Sequence, residues 1–249
     1  MNTDNRPMSK SNLETLKREF SKGHYKFNGD AIRISRHGRL LDGQHRLQAV
    51  ISTGITIKAL VIYGLPDDVF PTIDQNKVRT FGDILGMEKI KNYGIAAGIV
   101  PLLMAYNSGN VPASKHRISK QELLDYFNEH PSIVEAAHYV ASQSGILKKW
   151  LTPSYLGFLY VIFKEKDPNL CEYFLNRVAS GENLDPKSPE WKLREKLMQV
   201  SACSGIRDDI KQLSAYVIKA WNAVREKKEI KIFRYNYSGP SAEGFPKAI

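Results

Sequence analysis

The sequence predicts an α+β protein: a small mixed α/β domain followed by a helical one. Two observations carry this. Apart from one run near the end, segments alternating at the period of a strand are confined to the part before Gly64, and from about Lys91 the turn and capping signals bracket helix-length segments only. A third bounds it: 249 residues bury one large core or two modest ones. With 42% hydrophobic and 25% charged residues, wholesale disorder is not expected. The expected divisions are 1–90 (α/β), 91–229 (helical) and 230–249 (an extended C-terminal arm).

Ser11 to Phe20 reads as a helix, with Ser11 as cap and Glu14 three residues on completing a capping box. Ile32-Arg33-Ile34-Ser35 alternates as a strand, and His37-Gly38 turns the chain into Arg39-Leu40-Leu41. Arg46 to Ser52 is the next helix, ended by Gly54 in a left-handed C-cap. Ile55 to Tyr63 is the best strand in the chain. Pro66-Asp67-Asp68 opens a helical turn through Phe70, and Thr80 caps a short helix, Phe81 to Leu85.

The second half begins with Ile95 to Tyr106, apolar on nearly every face and therefore a buried helix. The stretch 107–114 is a loop, Ser119 and Glu122 form a capping box for a helix to about Glu129, and Pro131 starts another to about Ser142. Further helices are expected at Ser154–Lys164, Pro168–Ala179, Glu190–Val200 and Asp208–Lys227. Ile230 to Tyr237 alternates like an edge strand or an arm; its aromatic–basic pattern also suits stacking on single-stranded bases. Cys171 and Cys203 make no ligand-like cluster, so they are expected reduced and buried, without a structural zinc. No apolar run is long enough to span a bilayer and the start lacks an apolar signal core, which points to the cytoplasm and no membrane partner.

The segment Arg39 to Ala49 joins a strand end, a glycine turn and a helix start. Backbone N–H groups at a helix start carry the positive end of the dipole and suit a phosphate. Gly43 allows close backbone approach, and Gln44, His45 and Arg46 add side-chain donors. The guanidinium of Arg46 can hold two phosphate oxygens in a planar fork; the bland alternative ties the helix to a neighbouring carboxylate. His45 can donate to a phosphate or move a proton, or be structural. Asp42 can hold Mg²⁺ or accept a hydroxyl proton, or simply form the turn. The net charge of +10, with Lys26, Arg33, Arg36 and Arg39 near the box, favours an anionic partner or a merely basic surface. Tyr63 and Phe70 either flank a base or belong to the core.

Gly43-Gln44-His45-Arg46-Leu47-Gln48-Ala49 resembles the Gly-Glu-Arg-Arg-x-x-Ala box of the ParB amino-terminal domain. It is similar also to the Gly-Cys-His-Arg segment of sulfiredoxin and the Asp-Gly-His-His-Arg segment of the ParB-like free-serine kinase. The Asp-Gly-Gln-His-Arg form names a family of DNA-modification-associated proteins. A second box, Ile73 to Arg79, is similar to the Glu-Asn-x-x-Arg box of ParB, and Leu13, Leu16, Phe20 and Gly23 resemble the helix and glycine that open that domain. The likeness covers roughly residues 5–90 and identifies a ParB/sulfiredoxin-like superfamily member.

That resemblance implies a nucleoside triphosphate (ATP or CTP) with Mg²⁺, its phosphates on Gly43, Gln44, His45 and Arg46 and touching Asn76 and Arg79. Asn76 matches a ligand of metal and phosphates. Gln75 stands where ParB has a glutamate, and Asp74 takes that place if the loop is re-registered, so Asp74 and Asn76 are the expected metal ligands. Asp42, His45 and Asp74 are then the candidates for catalysis of hydrolysis or phosphoryl transfer. Gln44 stands where sulfiredoxin has its reactive cysteine, which excludes reductase chemistry on sulfinic acids. By analogy the chain suits a phage or mobile element, acting in DNA metabolism in the host cytoplasm. A homodimer is compatible with the resemblance. The rival reading is a DNA-binding protein whose basic α/β face grips duplex phosphates without chemistry; a third is an interaction module with a dead site.

Overall fold

Short β-alternating runs need a sheet partner and a covering helix, and this chain supplies both within its first 65 residues. The computed structural model describes residues 7–73, 79–112, 118–143, 147–202, 210–236 and 242–249, without the side chains of 71, 148 and 200–202. It is mixed α+β and mostly helical, with a small three-stranded mixed sheet. The chain divides into two compact units: Met1–Arg79 with His116–Glu122, and Thr80–Lys115 with Leu123–Ile249.

In the first unit, α1 (Lys10–Ser21) is capped two residues earlier than the Ser11 signal suggests. Ser9 is the cap, its hydroxyl accepting the Asn12 N–H at 3.3 Å, while Glu14 lies inside the helix and pairs with Lys17. Strands β1 (Ala31–Ser35) and β2 (Leu40–Asp42) form an antiparallel hairpin, tightened by Ser35 Oγ, which accepts the N–H groups of His37 and Arg39. The helix α2 (Gln44–Thr53) then carries the chain across, ended by Gly54 in the left-handed region as expected. Strand β3 (Leu60–Leu65) joins β1 in parallel, giving the order β2-β1-β3. Only the second half of the expected strand 55–63 is paired, because β1 begins at Ala31, whose register partner is Leu60. Ile32, Ile34 and Leu40 make the small core, with Leu47 and Ala59 packed on it. A 3₁₀ turn (Asp67–Thr72) follows.

The second unit opens with α3 (Phe81–Met87), started by the expected cap: Thr80 Oγ1 accepts the Asp83 N–H and Asp83 returns the bond. The second compact unit thus includes α3. The reason is packing: Gly86 of α3 lies under the Tyr93 ring of α4 (Tyr93–Asn107), close enough that a Cβ would meet it at 3.3 Å. Next in the chain is α5 (Lys120–Glu129), whose start, with the expected Ser119/Glu122 box at 3.0 and 3.2 Å, belongs to the first unit and whose remainder belongs to the second; α6 (Ser132–Ser142) follows. A four-residue helix the sequence did not suggest, α7 (Leu147–Trp150), precedes α8 (Pro153–Lys164). Next are α9 (Pro168–Ser180), α10 (Pro189–Ala202) and α11 (Ile210–Glu226).

The centre of this unit is α8, buried continuously from Tyr155 to Phe163. Trp221 of α11 stacks on Phe163 at 4.4 Å and meets Phe174 of α9 edge-on. The C-terminal run is neither an edge strand nor a free arm in its described part. Phe233, Tyr235, Phe245 and Ala248 are buried, and the Ala248 N–H donates to the Tyr106 hydroxyl at 2.8 Å. Burial removes Phe233 and Tyr235 as stacking platforms for bases; Tyr237 and Cys203 lie outside the described residues. Among the described residues no helix is long and apolar enough to cross a membrane.

Candidate anion site at the start of α2

β2 ends at Asp42 and α2 begins at Gln44, so Gly43 alone reverses the backbone. Its φ of +99° lies in the left-handed region, and a Cβ there would stand 3.0 Å from Ile32 Cγ1. Glycine is required twice, for conformation and for room. The reversal opens the first turn of α2 onto a cleft of about 520 Å³. Gly43, Gln44, His45 and Arg46 form one side, Asn12 and Leu16 of α1 another, and Phe70 and Ile73 a third, with Leu40 and Leu41 also lining it.

The polar side chains of the loop bond mainly to one another. Asp42 Oδ2 accepts from Arg33 Nη1 at 2.8 Å and from Arg46 Nη2 at 3.4 Å, while Oδ1 accepts the Gly43 N–H at 2.6 Å. The fork of Arg46 is directed at protein: Nη1 donates to the Asp30 carbonyl and Nη2 to the Ala31 carbonyl, each at 2.7 Å. Three of its five N–H groups are thereby accounted for, and the arginine staples α2 to the start of β1. The bland alternative for Arg46, a tie from helix to carboxylate, is present here together with two carbonyl bonds. His45 Nε2 accepts the Ser9 N–H at 3.0 Å.

Further out, the Arg39 guanidinium lies 4.8 Å over the Phe70 ring, a cation–π contact at the edge of the cleft. Asp67 meets His37 Nδ1 at 2.6 Å, and that bond, with one from Ser35, holds its carboxyl below the usual range. Asp42, Gly43, Gln44, His45 and Arg46 thus converge as the sequence suggests. Asp74 and Asn76 lie outside the described residues. Arg79 is exposed and is not among the described residues lining the cleft. Ile73, which opens the second box, lines the cleft, and so does Asn12, which has no sequence signal of its own; only the covering of the glycine turn by α1 reveals it.

No family model, curated protein or solved structure matches this chain. The reading of the site therefore rests on its chemistry. Among the described residues no group of three or more His, Cys, Asp or Glu side chains is placed to hold a metal ion by itself, and the expected ligands Asp74 and Asn76 lie outside them. Both oxygens of Asp42, the carboxylate in the described lining, are already accepting bonds. With Arg46, three of its roughly four lone-pair sites are occupied, which holds the carboxylate within the loop. The cleft offers a helix start, polar side chains and an apolar floor, which is binding chemistry.

Proposed function

We propose that the first unit is a nucleotide-binding domain of the ParB/sulfiredoxin-like class, holding the phosphates of ATP or CTP at the first turn of α2. The observation that supports this is the left-handed Gly43 packed on Ile32, which presents a helix start to a cleft of nucleotide size. Gln44 and the backbone of the first turn contact the phosphates. Arg33, Asp42 and Arg46 hold the loop in shape and keep it electropositive. The proposal is binding, with no step of hydrolysis derived from the described residues. Duplex DNA on the basic face is the weaker reading, because Arg33 and Arg46 of that cluster are engaged with Asp42 and Arg39 lies on Phe70.

Calorimetric titration with ATP, CTP, GTP and UTP, with and without Mg²⁺, tests this beside Gln44→Glu. A glutamate at the first helical position suits the helix dipole, so the variant stays folded while repelling phosphate. Saturable binding by the wild type, weakened about tenfold or more in Gln44→Glu, is the expected result. Absence of binding at millimolar nucleotide, or equal binding by the variant, overturns it.

A further inference from the structure

A second groove in the first unit, of about 220 Å³, runs between residues 23–27 and 55–58. Its floor is Phe20, Ile55 and Ile57, and its walls are the rings of Tyr25 and Phe27. Phe20 and Tyr25 pack edge-to-face at 5.0 Å, and the Tyr25 hydroxyl donates to the Lys58 carbonyl at 3.4 Å, so that wall is rigid. Phe27 is different: it is 49% exposed, an uncommon state for a phenylalanine beside an apolar groove. The Lys58 ammonium stands 5.2 Å from the centre of its ring.

The charge in the groove's own lining is positive. Among the described lining residues Lys58 bears the charge and no carboxylate is present. Lys26 is exposed between the two rings in sequence, while Lys22, which precedes them, is paired with Glu122 and adds no open charge. The nearest carboxylates along these segments are Glu19 in α1 and Asp30, whose oxygen accepts from Asn28. A further ring, Tyr63, is 69% exposed on β3, within about 17 Å of chain from Lys58. Exposed rings interleaved with ammonium groups are what a flexible polyanion of flat bases needs: stacking for each base, a cation for each phosphate. An acidic peptide would match Lys58 and Lys26 in charge but offers no row of flat bases to the exposed rings.

We propose that this groove binds single-stranded nucleic acid, a base stacking on Phe27 while Lys58 and Lys26 meet the flanking phosphates. The inference does not depend on the nucleotide reading of the cleft at Gly43. The test is fluorescence anisotropy of a short labelled oligo-dT at low salt, with circular dichroism confirming that each variant is folded. The expected result is saturable binding that Phe27→Ala weakens about tenfold or more. Phe27→Tyr restores it and Phe27→Leu does not, and Lys58→Gln makes the salt dependence shallower. Gln44→Glu leaves oligo-dT binding unchanged, and Phe27→Ala leaves nucleotide titrations unchanged, which keeps the two sites distinguishable. The inference is overturned if oligo-dT does not bind, if Phe27→Ala or Phe27→Leu binds as the wild type does, or if a duplex of equal length competes equally well.

Discussion

At Gly43 two constraints coincide, a positive φ and an Ile32 side chain 3.0 Å from where a Cβ would be. Gly43→Ala is expected to destabilise the protein by about 1–3 kcal/mol, read as a lower urea midpoint. Arg46→Ala should behave similarly, by about 2–3 kcal/mol, because it strips charge-assisted bonds from the Asp30 and Ala31 carbonyls. Arg46→Lys should not restore it, since one ammonium lacks the planar fork that spans two carbonyls. Loss of ligand binding in an Arg46 variant would therefore not identify the arginine as a phosphate contact. Cys171 makes a different residue-scale case. It is wholly buried in α9, and burial pushes its thiol up to about 12. Native protein should leave Cys171 unmodified by a thiol reagent at neutral pH, with labelling appearing only in denaturant; mass mapping of the labelled peptide checks this.

At the scale of elements, the helical unit depends on two glycines that let α4 and α8 approach closely. A Cβ on Gly157 would lie 2.4 Å from Ile99 Cδ1, and one on Gly98 would lie 2.0 Å from Ser154 Oγ. Gly157→Ala is expected to lower stability by about 1–3 kcal/mol through overpacking, seen as a reduced thermal midpoint. Adding Ile99→Val, which removes the clashing Cδ1, should recover part of that loss. If Gly157→Ala alone raised the midpoint, through its better helix propensity, the close approach would not govern this interface. The hairpin and α2 depend less on such fits than on turn chemistry at Ser35, Gly38, Gly43 and Gly54.

At the scale of the molecule, the contact that joins distant sequence within the first unit is the Glu122 carboxylate. It accepts from Arg18 Nε at 2.9 Å and Lys22 Nζ at 2.7 Å, about a hundred residues away. Burial by itself would raise Glu122, but Lys22, the Ser119 N–H and Arg18 outweigh it and hold the carboxyl at about 2. A folded pKa below the unfolded one contributes stability above the unfolded value, near 4.5, and loses it as pH falls from there towards 2. Because Lys22 is half exposed, screening reduces the contribution to roughly 1–2 kcal/mol. Glu122→Gln should therefore be less stable at pH 7 but show a flatter loss of stability between pH 4.5 and 2. Acid titration of the urea midpoint compares the two; identical acid slopes would remove Glu122 from the account.

Much of this was legible in the sequence wherever the cause is local. Thr80 with Asp83 and Ser119 with Glu122 are capping boxes because side chain and N–H lie three residues apart. Gly54 ends a helix because glycine alone takes the left-handed region without strain. The convergence of Asp42 through Arg46 follows from five consecutive residues around one turn. What the tertiary structure alone decided involves partners far along the chain. The Arg46 fork goes to carbonyls fifteen and sixteen residues back. The strand expected over 55–63 is shortened by where β1 begins, and Phe233 and Tyr235 are buried by a helical core they could not announce. Sequence by itself determined most caps and turns and the class of the fold, with the Ser11 box displaced to Ser9, because those energies are settled within a few residues. The engagement of each arginine and each apolar face was decided by tertiary packing, because a hydrogen bond or a buried surface needs a partner that only the folded chain brings near.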